Sequence, residues 1–163
     1  MKILFVCSSN VCRSPYCEFV FKKMAENDPA LKEAVERVDS AAVLNFSEKL
    51  HKLARASLMK EGFSAEELDA FVPKHRLKAK AVFAEADEII GMTRWHKFLL
   101  PKAERAKFKT LSEAAEGKYS PIPDPFLAKS QEEYDNAMDI IKKYLEEYAA
   151  KIKERHNGRK EQI

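Results

Sequence analysis

A short apolar run, Ile3-Leu4-Phe5-Val6, breaks off at Cys7 into small and polar residues, then resumes at helical spacing past Pro15. Few folds accommodate such an opening. The Lys2 to Val6 run, bounded by turn formers, reads as a buried strand. Beyond Pro15 the apolar residues Tyr16, Cys17, Val20, Phe21 and Met24 form the stripe of a helix packed on a sheet. Pro15 suits a first helical turn, where its missing N–H is not needed.

The same alternation recurs downstream. Val38 to Val43 reads as a second strand, Asp87 to Met92 as a third and Phe108 to Leu111 as a short fourth. A helix is predicted over Glu48 to Glu61, ended by Gly62, and a short one runs through Trp95, Phe98 and Leu99 until Pro101. The last helix is marked by Tyr134, Met138, Ile141, Leu145 and Tyr148, at intervals of three and four. Strands alternating with helices predict an α/β fold, a single-domain, doubly wound, four-stranded parallel sheet flanked by helices. Ligands of such sheets bind beyond the carboxyl ends of the strands, which is where Cys7 stands. The domain is expected to cover residues 1–150, and the polar, basic residues 151–163 to form a frayed tail.

With 163 residues, one domain has enough chain to bury roughly two thirds of its unfolded surface. A net charge of +3 excludes no anionic substrate but gives no reason to expect a nucleic-acid partner. Three cysteines, two of them within one loop, make no disulfide framework, and a reducing, cytoplasmic setting is expected. The four-residue apolar run before Cys7 is too short for a secretory signal, and no apolar stretch is long enough for a membrane span.

The segment Cys7-Ser8-Ser9-Asn10-Val11-Cys12-Arg13-Ser14-Pro15 carries the chemistry. A five-residue loop between strand and helix can curl its backbone N–H groups inward, making an anion nest backed by a helix N-terminus. That positive field, with Arg13 beside it, favours a thiolate, the nucleophilic form of cysteine. Arg13 is suited to grip two equatorial oxygens of a phosphoryl group. Ser14 is placed to donate its hydroxyl to the sulfur, and Asn10 to brace the loop or take a positive φ. Ser8, Ser9, Asn10, Val11, Cys12, Arg13 and Ser14 thus form the predicted phosphate-binding loop. A proton donor is also needed for the leaving oxygen. Asp124, in Pro121-Ile122-Pro123-Asp124-Pro125-Phe126, is held out on a proline-stiffened turn, with Phe126 beside it to wall an aromatic substrate.

These residues resemble the low-molecular-weight protein tyrosine phosphatase family. The family's Cys-x-x-Asn-x-Cys-Arg-Ser-Pro pattern is matched from Cys7 to Pro15 and its Asp-Pro-aromatic motif by Asp124-Pro125-Phe126, and the similarity spans nearly the whole chain. The resemblance implies hydrolysis of phosphotyrosine and aryl phosphate monoesters in two steps, without a metal or other cofactor. Cys7 attacks phosphorus while Asp124 protonates the leaving phenol; Asp124 then activates water against the phosphocysteine. It also implies Phe46 as an aromatic at the pocket rim, facing Phe126 across a phosphotyrosine ring, and Cys12 as a redox guard that traps oxidised Cys7 as a disulfide. The implied partner is a tyrosine-phosphorylated protein, and the chain itself is expected to be a monomer or weak dimer.

The sequence departs from the family at Ser9, where a glycine is usual, at Phe126-Leu127 in place of paired tyrosines, near His51, and at Thr93. Other activities on this scaffold are weighed against particular residues. A thioredoxin-coupled arsenate reductase needs further thiols, and no cysteine follows Cys17. Protein-arginine phosphatases typically carry Thr where Val11 stands, so the aliphatic residue favours an aryl ester. A phosphotyrosine-binding module without turnover remains open because of Ser9. Zinc binding by Cys7, Cys12 and Cys17 is opposed by four-residue spacings that fit finger and ribbon patterns badly.

Overall fold

The computed structural model describes residues 1–162. Its sheet contains β1 (Lys2–Cys7), β2 (Arg37–Ala42), β3 (Glu88–Gly91) and β4 (Phe108–Thr110), all parallel, in the order β2-β1-β3-β4. The helices are α1 (Arg13–Asn27), α2 (Pro29–Ala34), α3 (Lys52–Lys60), α4 (Ala65–Asp69), α5 (Lys80–Glu85), α6 (Leu111–Glu116) and α7 (Gln131–Lys160). The expected fold class and four strands are present, with strand ends shifted by a residue or so. From β1 the chain passes to β2 on one side, then returns to β3 on the other. The crevice this leaves beyond Cys7 and Gly91 is the switch point where open parallel sheets take ligands.

Alternation along β1 explains why both faces are covered. Ile3, Phe5 and Cys7 join the larger core with Phe21, Leu58, Ile90, Tyr134, Ile141, Leu145 and Tyr148. Leu4 and Val6 enter a smaller one with Val43, Phe83, Ile89 and Leu100. A strand buried on both sides reads as a continuous apolar run, as β1 does.

Two expectations differ. The helix predicted from Glu48 begins at Lys52, because the His51 ring accepts the Leu53 N–H and caps it there. The tail does not fray at 151: α7 runs to Lys160, with Ile152 buried at 2 % exposure. Lys153 pairs with Asp28 at 2.6 Å, Arg155 with Glu88 at 2.6 Å and Lys160 with Glu33 at 2.6 Å. Such exposed pairs add little each, so the buried Ile152 is the stronger anchor. Among the described residues no helix is long and apolar enough to cross a membrane.

Candidate active site

Between β1 and α1 the chain turns tightly around Cys7, and Asn10 makes the turn possible. It is the one non-glycine residue with positive φ among those described, +55°, a conformation asparagine tolerates better than most. It is also fully buried, and its amide is satisfied in every direction. Its Nδ2 donates to Ser14 Oγ (2.9 Å) and Ser40 Oγ (2.8 Å), and its Oδ1 accepts the Lys74 N–H (2.9 Å). Ser40 in turn donates to Glu18. Because Ser14 accepts from Asn10, its own hydrogen is free for Cys7 Sγ, 3.0 Å away. The sulfur thus sits at the N-terminus of a 15-residue helix, facing a hydroxyl whose direction is already fixed.

Arg13 is 4 % exposed, a placement that demands partners for a cation. Its Nη1 donates to Ile122 O (2.9 Å) and its Nη2 lies 3.2 Å from Asp124 Oδ2. Its Nε is buried and has no partner. A buried guanidinium N–H with nothing to bind is an anion-seeking group. Asp124 stands on the opposite wall, half exposed, with Oδ1 accepting the Phe126 N–H at 3.1 Å. The turn is thereby held by its own carboxylate as well as by its prolines.

These groups share one cleft of about 340 Å³, lined by Cys7, Ser8, Ser9, Val11, Cys12 and Arg13 below and by Leu44, Asn45, Trp95, Asp124 and Phe126 around the mouth. The loop residues and Asp124 are therefore together, as is Phe126. Phe46 is not. Its ring stacks on His75 at 3.7 Å between centroids, and it lines a neighbouring groove that shares Ser9, Val11, Asn45 and Phe126 with the cleft. The aromatic that joins Phe126 at the cleft is Trp95, half exposed in the 3-10 turn Arg94–Leu99 just past β3. Sequence reasoning placed Trp95 on a helix; its position past the carboxyl end of a central strand was the signal that it belongs to the ligand crevice.

Ser9, where a glycine was the family expectation, needs no positive φ. Its hydroxyl accepts from Asn45 Nδ2 (2.8 Å) at the mouth, so the loop closes without strain at this position. Cys12 is a free, buried thiol beneath the loop, its pKa pushed up to about 12 chiefly by that burial. His75, buried, accepts the Leu77 N–H at Nδ1, which leaves Nε2 to donate to Leu44 O at 3.1 Å.

The family model for low molecular weight phosphotyrosine protein phosphatases matches residues 2–158. The chain belongs to this family of cysteine-based hydrolases. Among members of the family, it is 28 % identical to a protein-arginine-phosphatase of Bacillus subtilis, over 94 % of this chain and 97 % of that protein. It is 31 % identical to the low molecular weight protein-tyrosine-phosphatase PtpB of Staphylococcus epidermidis, over 77 % of this chain and 81 % of that one. The fold superposes on the YwlE arginine phosphatase of Geobacillus stearothermophilus with a TM-score of 0.80, at 26 % identity and 96 % coverage of both chains.

Proposed function

We propose that this phosphatase-family chain hydrolyses phosphotyrosine and aryl phosphate monoesters of proteins through a phosphocysteine intermediate. The observation that carries the reading is the shared cleft, with a sulfur on its floor, an unpartnered buried guanidinium N–H beside it and a carboxyl group on the wall opposite.

In the first step Cys7 Sγ attacks phosphorus in line and the bond from phosphorus to the phenolic oxygen breaks. Asp124, protonated, gives its proton to the departing oxygen, and the product is phosphocysteine plus a free tyrosine. In the second step Asp124 takes a proton from water as the water oxygen bonds to phosphorus and the S–P bond breaks. The electron pair returns to sulfur, where the Ser14 hydroxyl, 3.0 Å away, stabilises it. Arg13, whose buried Nε–H is unpartnered, holds the equatorial oxygens throughout, so charge developing there is met by a donor already in place. Cys12 keeps the resolving role that the family resemblance implies for a Cys7 sulfenic acid, but the burial that pushes its pKa up to about 12 disfavours the thiolate needed to attack that sulfur.

The arginine reading has the comparisons in its favour: the B. subtilis protein-arginine-phosphatase that matches nearly the whole chain and the G. stearothermophilus arginine phosphatase on which its fold superposes. Against it stand the lining residues. A guanidinium phosphate calls for carboxylates or polar acceptors around its planar nitrogen group. Asp124 is the one acidic residue lining the cleft, already facing Arg13, while Val11, Leu44, Trp95 and Phe126 present apolar surface that suits a phenyl ring. Matched peptides carrying phosphotyrosine or phosphoarginine decide between the two. The expected outcome is a larger kcat/KM for phosphotyrosine, with Val11→Thr moving the ratio toward phosphoarginine. A wild-type preference for phosphoarginine would overturn the tyrosine assignment. Substrate trapping with Cys7→Ser identifies the protein partner.

A further inference from the structure

His96 closes one side of the loop, and the scheme above gives it no task. It follows β3 by one turn and is buried, 1 % exposed. Its Nδ1 lies 3.3 Å from the Met92 N and 3.3 Å from the Thr93 N, both of which donate to it. A ring nitrogen that accepts carries no hydrogen, so the imidazole proton is on Nε2. That atom is 3.2 Å from Ser8 Oγ. Nε2–H therefore donates and the serine oxygen accepts, leaving the hydroxyl hydrogen unspent.

The rest of Ser8 is held as firmly. Its carbonyl accepts the N–H groups of Leu44 (3.1 Å) and Asn45 (2.9 Å), which tie the loop to the segment after β2. The residue lines the cleft directly beside Cys7. A hydroxyl with one lone pair occupied by an imidazole and its hydrogen free is a directed donor. The opposite tautomer would take the serine hydrogen and turn lone pairs toward an incoming anion. Burial, aided by the nearby Arg13 charge, lowers the His96 pKa to about 4, so the ring is neutral and Nε2 is its single N–H at neutral pH.

We propose that His96 is a positioning residue whose Nε2–H fixes the Ser8 hydroxyl as a hydrogen-bond donor to the oxyanion seated over Cys7. The proposal rests on the phosphatase reading of the cleft. It adds a device to the loop: the protein selects one imidazole tautomer with two backbone amides, and that tautomer selects the direction of a catalytic-loop hydroxyl.

A double-mutant cycle tests it, with inorganic phosphate as competitive inhibitor of 4-nitrophenyl phosphate hydrolysis. His96→Asn keeps an acceptor for the two backbone N–H groups and removes the donor to Ser8. It is expected to weaken phosphate inhibition and lower kcat/KM by about tenfold, as loss of one charge-assisted bond should. Ser8→Ala should act similarly, and the double variant no worse than either single one. Effects that multiply, or a His96→Asn protein indistinguishable from wild type, overturn the proposal while leaving the phosphatase intact. A wild type that neither turns over substrate nor binds phosphate removes both. Should His96→Asn fail to fold, the nitrogen-15 resonances of the wild-type ring decide instead. Protonated Nε2 with unprotonated Nδ1 at neutral pH is expected, and the reverse tautomer rules the device out.

Discussion

The floor of the cleft and its mouth are built on opposite principles. On the floor, Asn10, Arg13, Ser14 and Cys7 are nearly inaccessible; Asn10, Ser14 and Cys7 are bonded to one another and to Ser40 of β2, and Arg13 to Ile122 and Asp124. At the mouth, Trp95, Phe126 and Asp124 are about half exposed, on short turns. Buried polar networks fix geometry because any slack leaves a group unsatisfied. Exposed aromatics offer area and little constraint. The nucleophile and its phosphate grip are thus assigned to the rigid part, and the proton donor Asp124 shares the adaptable part with the groups that choose the substrate.

The sharpest way to break that contrast is to attack the two reacting groups, the sulfur on the floor and the carboxyl at the mouth. Cys7→Ser is expected to abolish 4-nitrophenyl phosphate turnover, by about 10⁴-fold or more, with phosphate binding retained. Asp124→Ala is expected to lower kcat by roughly 10²–10³-fold, more steeply for alkyl than for nitrophenyl esters, because a good leaving group needs less protonation. Equal losses for both esters in steady-state assays would remove Asp124 as the acid. At the mouth, Trp95→Ala should cost about tenfold in kcat/KM on phosphotyrosine peptides, and Phe46→Ala no more than about twofold, since it stacks on His75 outside the cleft. The reverse order would restore Phe46 to the rim.

Stability gives finer tests of the same contrast. Asn10→Ala strands the Lys74 N–H and puts alanine at positive φ, for an expected loss of about 2–4 kcal/mol in denaturant titration. His96 makes the floor sensitive to acid. Its folded pKa is about 4 against 6.5 unfolded, so the unfolded chain binds more protons between those values. Its contribution is therefore complete above pH 6.5 and is lost as pH falls toward 4. Thermal melts should fall across that window, and His96→Asn should flatten the slope.

Much of the floor was legible because its residues are contiguous. Strand, loop and helix follow one another, so Cys7, Asn10, Arg13 and Ser14 carry their geometry in their spacing. Asp124 was legible because three prolines set it apart. The mouth was less so: Trp95 and Leu44 reach the cleft through the crossover that places β3 and β2 on either side of β1, and the sequence signalled Trp95 only by its place past a strand end. Short helices were overlooked too, though Ser64 with Glu67 and Thr110 with Glu113 spell capping boxes at the starts of α4 and α6. The far end of α7 was misread because composition shows its charges and not the one buried side chain, Ile152, that docks it. Ile152→Ala should cost about 2–4 kcal/mol in the same titration.

Arg13 also reaches across to Ile122 and Asp124. One side chain therefore serves as the tether between the attacking group and the proton donor, although more than a hundred residues of chain separate them. Should the proline turn drift, the guanidinium is pulled with it. Alignment of the two reacting groups is kept by that span together with the bond from Ile122 N–H to Met92 O, 3.1 Å, which pins the same turn to the chain just past β3.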